Sequence, residues 1–155
     1  MMTREFNVGK PLAYLITWTC YGTWMPGDQR GWWRKGSGER RGGDSMILTM
    51  ARDDMRESPF TLTEQDRTLV HDTIVRHCQI RGWILHAANV RSNHVHVVVA
   101  ASGHLPETVD GQLKAWCTRG LKKHHSERSR FWTEGASRRW INHENDVESA
   151  IVYVN

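Results

Sequence analysis

The sequence predicts an α+β domain of the ferredoxin-like, split β-α-β kind, with a central antiparallel sheet and an appended C-terminal helix that bears a tyrosine. Three observations lead there. Two β-rich runs, residues 83–90 and 94–101, are separated by the polar turn Arg91-Ser92-Asn93 and read as an antiparallel hairpin. Helical periodicity flanks that hairpin on both sides. One strand precedes the set and another follows it, so the order is strand, helix, strand, strand, helix, strand, then a last helix.

The first strand is Ala13-Tyr-Leu-Ile-Thr-Trp-Thr-Cys20, rich in β-branched and aromatic residues. Turn residues break it over Tyr21-Gly-Thr-Trp-Met-Pro-Gly-Asp28. Residues 27–44 then carry many glycines together with Arg30, Arg34, Lys35, Arg40 and Arg41. This is a long basic loop, an insertion at about 22–58 within one domain spanning 1–155, and loops of that length are usually functional or mobile. A helix starts near Thr61, whose spacing to Glu64 fits a capping box, and stops at Gly82. After the hairpin, Pro106 opens a second helix that runs to about His124, with Val109, Leu113, Cys117 and Leu121 as its buried stripe. Lys114, Arg119, Lys122, Lys123, Arg128 and Arg130 make its exterior and exit basic, as a solvated face or a phosphate-contacting one. Residues 131–141 form a short strand or hairpin. The last helix begins near Asn145, paired with Glu148 as a cap, and Val147, Ala150, Ile151 and Val154 are its core side.

A chain of 155 residues can bury one real core. No apolar run approaches the ~18 residues of a membrane span, and the N-terminus lacks the apolar stretch of a signal peptide. Cys20, Cys78 and Cys117 are odd in number and scattered, which reads as reduced cytoplasmic thiols and not a zinc cage or disulfide framework. The net charge of +4 and pI near 9.2 favour a polyanionic partner. Of the eight tryptophans, Trp18, Trp83, Trp116 and Trp140 lie in apolar patterns and are assigned to the core. Trp24, Trp32 and Trp33 stand among glycines and arginines, where an indole either stacks on an unpaired base or pins the loop to the body.

The strongest chemical signal is Asn93-His94-Val95-His96-Val-Val-Val99. Side chains alternate along a strand, so His94 and His96 share one face, ~6.5–7 Å apart at Cα. Two imidazoles so spaced can converge on one divalent ion, or form a partly buried polar pair. In a basic protein such a site suggests phosphodiester chemistry and directs attention to a nucleophile. Tyr14 and Tyr21 belong to the first strand and its end. Tyr153 lies about 110° from the centre of the last helix's apolar stripe, on a flank shared with Asp146 and Ser149. A tyrosine there can pack its ring and present its hydroxyl outward, either as a nucleophile or as an ordinary half-buried side chain.

Together these parts resemble the HUH single-tyrosine transposases of bacterial insertion sequences, and the REP-associated tyrosine transposases among them. The resemblance is carried by residues 14–28, by Ser92-Asn-His94-Val-His96-Val-Val-Val99, by Phe131-Trp132 with Arg138-Arg139, and by Ile151-Val-Tyr153-Val154. It implies that His94 and His96 bind Mg²⁺ or Mn²⁺. It also implies that Tyr153 attacks a phosphate of single-stranded DNA, giving a 5′-phosphotyrosine intermediate, a free 3′-hydroxyl and strand transfer by the reverse reaction. The family often places a glutamine one turn beyond the tyrosine as a third ligand. The sequence ends at Asn155, so the resemblance implies another completing group or a weakened enzyme. Small relatives exchange tyrosine helices within a dimer, and a chain of this length can act as a monomer or a homodimer.

The expected partner is single-stranded or hairpin DNA, met in the bacterial cytoplasm at the nucleoid. Arg30, Trp32, Trp33, Arg34, Lys35, Lys122, Lys123, Arg138 and Arg139 are the candidate DNA contacts. The alternative is a non-cleaving, domesticated DNA-hairpin-binding module of the same fold. An unrelated metal-dependent hydrolase is disfavoured, because the other histidines form no second close-spaced pair on a strand.

Overall fold

The computed structural model describes residues 10–33 and 39–155, except for the side chain of Trp33. The elements in chain order are β1 (Ala13–Thr19), β2 (Trp32–Trp33), β3 (Arg40–Arg41), α1 (Ser45–Asp53), α2 (Glu64–Arg81), β4 (Ile84–Val90), β5 (His94–Ala100), α3 (Pro106–Lys122), β6 (Ser137–Ile141) and α4 (Glu144–Val154). Four strands form one antiparallel sheet in the order β4-β5-β1-β6, the strand order of the ferredoxin-like fold. No helix among the described residues is long and apolar enough to cross a membrane.

The sheet is covered on both faces, unequally. On one side α2 and α3 bury Val70, Ile74, Leu113, Cys117 and Leu121 against Ile16, Trp18, Val95, Val97 and Val99. Each of these is at most 1 % exposed. The helices meet closely because Gly120 leaves room: a Cβ there would stand 2.8 Å from a methyl of Leu69. On the other side α4 packs Ala150 and Val154 on Ala13, Ala87, Val98 and Ile141, a much smaller cluster.

Helix ends follow local chemistry, with two corrections to the sequence reading. The cap of α2 is Thr63, not Thr61: its hydroxyl accepts from the Asp66 amide while Asp66 accepts from the Thr63 amide. Gly82 closes the helix in a left-handed conformation (φ 72°), as expected. The cap position of α4 is His143 with no side-chain cap bond, so the Asn145–Glu148 pairing is not its start. Trp116 is also corrected: it is 47 % exposed and not core.

The insertion holds more structure than a loop. It contains the short β2–β3 hairpin and α1, whose N-terminal amides at Met46 and Ile47 bond to the Asp44 carboxylate. Gly27 sits under the start of α1, where a Cβ would approach the Leu48 amide nitrogen to 2.3 Å. Indoles pin the segment. Trp24 Nε1 donates to Gly31 O at 2.7 Å and Trp32 Nε1 to Gly42 O at 3.1 Å, with Trp32 buried.

Candidate active site

The alternation of β5 sends Val95, Val97 and Val99 to the α2/α3 side and leaves His94 and His96 on the α4 side with Val98. Their ring centroids are 4.6 Å apart, edge to face. Register supplies a neighbour for each. Thr17 of β1 lies opposite His96, and its Oγ1 is 2.7 Å from His96 Nδ1. The Nδ1 of His94 donates to Asn93 Oδ1 at 2.7 Å. Both Nδ1 atoms are thus engaged, and neither Nε2 has a hydrogen-bond partner among the described residues. Anchoring one ring nitrogen fixes the orientation of the other, as in histidine sites whose second nitrogen ligates.

Burial, with the charges of His94 and Arg91 beside it, pushes the His96 pKa down to about 4. Burial and Arg91 also lower that of His94. Neutral imidazoles are the metal-binding form. Among the described residues no third His, Cys, Asp or Glu joins them in a group that could hold a metal. The pair therefore fits as two protein ligands of an open site, with oxygens from outside the protein to complete it.

The last helix brings Tyr153 to this pair. Its ring stands edge-on to His96, centroids 5.6 Å apart, and the residue is 67 % exposed. A bond from Asn89 Nδ2 to the Val154 carbonyl, 2.7 Å long, fixes this end of α4. Asn89 reaches the helix because of an irregularity in β4. Pairing with β5 shifts between Leu85 and Ala87, so Leu85 packs under α2 and α3 while Ala87 faces α4. Without the shift Asn89 would share the face of Leu85. Thr17 and Tyr153 also line a cavity of about 550 Å³ whose walls include Arg139, Asp146 and Ser149. Asp146, Ser149 and Tyr153 do share one flank of the helix, as the helical spacing requires.

The other candidate residues are dispersed. Arg139 shares this face, but Arg138 points to the opposite one and grips the buried Asp110 of α3 through two hydrogen bonds. Lys122 and Lys123 end α3 on the far side of the sheet, both exposed. Arg30 is committed within the insertion. It bonds both carboxylate oxygens of Asp28 and the Thr23 carbonyl and lies 4.0 Å over Trp24. That bond holds the Asp28 pKa at about 2. Arg34 and Lys35, and the side chain of Trp33, lie outside the described residues. Sequence reasoning missed Thr17, Asn89 and Arg91. The first is recoverable from strand pairing, the second only from the bulge, and the third from its place in the turn before His94.

No family model and no curated protein matches the sequence. Among solved structures, the chain is similar to a REP-associated tyrosine transposase bound to a REP hairpin. The TM-score is 0.52 at 12 % identity, covering 99 % of this chain and 69 % of that one. It is also similar to a Deinococcus radiodurans R1 crystal structure provisionally assigned as a transposase, at TM-score 0.49 and 14 % identity over 99 % of this chain and 95 % of that one. At such identities the first likeness is one of fold.

Proposed function

We propose that this chain is a transposase-like single-stranded DNA strand transferase in which Tyr153 is the nucleophile. One observation carries the reading: the paired histidines of β5 and the exposed tyrosine of α4 come together within a single chain, ring against ring. The hairpin-bound neighbour supports hairpin DNA as the partner class.

The Tyr153 hydroxyl attacks a backbone phosphorus. An O–P bond forms, the bond to the 3′-oxygen breaks, and that oxygen departs as a 3′-hydroxyl after taking a proton. The 5′ side stays on the protein as a phosphotyrosine. A second 3′-hydroxyl reverses the step and joins a new strand, and the phenol regains its proton. A phenol ionises at about pH 10 in model compounds, so it needs help to attack at neutral pH. Asp146 lines the same cavity from about two turns earlier on α4 and is the proposed acceptor of the phenol proton, through intervening water. The positive field of Arg91, felt by both histidines, favours a phosphate beside them. A Mg²⁺ or Mn²⁺ ion held by His94 and His96 would polarise the scissile phosphate and absorb charge in the transition state.

The test is a labelled hairpin oligonucleotide with a single-stranded flank, incubated with Mn²⁺ and run on a denaturing gel. The full chain forms a covalent adduct, and Tyr153→Phe forms none while still binding. An adduct that survives in Tyr153→Phe removes the nucleophile assignment. A second reading draws on the hairpin-bound neighbour, whose likeness extends to the fold and not to the chemistry. It is a hairpin-binding module that does not cut, and binding with no adduct under any metal would select it.

A further inference from the structure

The α2–α3 seam, on the side of the sheet away from His94 and His96, carries a groove of about 880 Å³. Its apolar lining includes Ile80 and Trp116, which are 69 % and 47 % exposed. Arg76, Arg81, Arg119 and Lys123 surround them, and no carboxylate lines the groove. None of these four cations makes an ion pair among the described residues, whereas Arg30, Arg128 and Arg138 all do. The Arg119 guanidinium lies 4.8 Å over the Trp116 ring, and His77, bonded to Gln112, leans against the same ring. His77 is 8 % exposed and Gln112 holds it, so Trp116 has a fixed support.

We propose that this groove binds an unpaired stretch of DNA, with a base on Trp116 and phosphates on the four cations. An apolar core inside a ring of one sign of charge matches a single strand, which offers flat rings and a regular row of negative charges. A second copy of the chain would bring the same cations against themselves, and a duplex hides its bases from an indole. The covering arginine is no obstacle. An exposed cation–π contact is weaker than the stacking of a base on an indole. A base can therefore displace Arg119, which then meets the neighbouring phosphate. The choice of DNA over RNA rests on the reading of the opposite face. The two sites together would let one protein hold a strand at one place and cut it at another.

The experiment is fluorescence anisotropy with a labelled single-stranded oligodeoxynucleotide of about 12 nucleotides. Blunt duplex and RNA of the same sequence serve as competitors. Trp116→Ala, at an exposed position, weakens binding roughly 5-fold or more, and Trp116→Phe restores most of it. Arg76→Gln combined with Arg119→Gln lowers the slope of log affinity against log salt by about 0.7 per charge removed. Unchanged affinity in Trp116→Ala overturns the proposal. So does RNA or duplex competing as well as the single strand, or self-association that Trp116→Ala abolishes. Adduct formation at saturating DNA separates this site from the other. Trp116→Ala keeps the adduct and loses affinity, and Tyr153→Phe does the reverse. If no protein forms an adduct yet Trp116→Ala still loses affinity for DNA, the cutting reading fails and the groove stands.

Discussion

On the α2/α3 side of the sheet, β5 contributes Val95, Val97 and Val99, none of them exposed. On the α4 side the same seven-residue strand contributes His94, His96 and Val98. The first side is dry, deep and made of β-branched, aromatic and aliphatic groups. The second has a small apolar cluster at one part and imidazoles, Thr17, Asn89 and Arg139 at the rest. Period-two alternation lets one strand serve both purposes. The side that holds the fold together and the side that bears the candidate chemistry are therefore separable by substitution.

The largest effect is expected where that separation is tested directly. Leu113→Ala on the dry side should cost about 2–5 kcal/mol of unfolding free energy, since a buried leucine leaves both lost transfer energy and a cavity. Denaturant titration measures it, and the folded fraction should still form adduct. His94→Ala with His96→Ala should abolish the adduct with a much smaller stability change. A collapse of stability in that pair would break the comparison. Next comes Asn89→Ala. It leaves the Val154 carbonyl without its partner and should cost about 1 kcal/mol or less. Adduct formation should fall further than that loss of stability explains, because the end of α4 that carries Tyr153 is no longer held beside His96. Equal losses would mean that Asn89 acts on the fold alone.

The smallest effect is on pH, and it belongs to the dry side. Burial works against the ionised carboxylate of Asp66, but hydrogen bonds from His125 and from Thr63 outweigh it and hold its pKa below the usual value. A depressed folded-state pKa gives stability that is present above the unfolded pKa of about 3.8 and is lost as pH falls through the folded value. The wild-type stability curve should therefore steepen downward below about pH 3.8. Asp66→Asn should flatten that limb while starting from a lower plateau, because it weakens the cap of α2.

The order of elements and the face shared by His94 and His96 were legible because each rests on strong alternation or on helical spacing. Helix α1 was not. None of its residues is fully buried, and Met46 and Met50 are exposed, so no core stripe marked it within the glycine-rich insertion. Trp116 read as core because it follows Leu113 by three residues, yet the buried stripe runs at steps of four and leaves it at the edge. Arg138 and Arg139 are adjacent on a strand and must face opposite ways, so the alternation that placed the histidines also separates these two arginines. The role of Asn89 depends on a one-residue slip in β4, for which composition gives no sign.

The attachment of α4 sets how the molecule breathes. This helix sits on the smaller cluster through Val147, Ala150, Ile151 and Val154, with Asn89 bonded to its end, whereas α2 and α3 are sewn into the main core. Segments with few buried contacts open at lower free energy than the domain as a whole. Backbone amides of α4 should thus exchange with solvent well before those of β5. A DNA end joined to Tyr153 would then ride on the helix seated on the smaller of the two clusters. Undocking that helix would carry the bound strand away from the histidines without unfolding the domain.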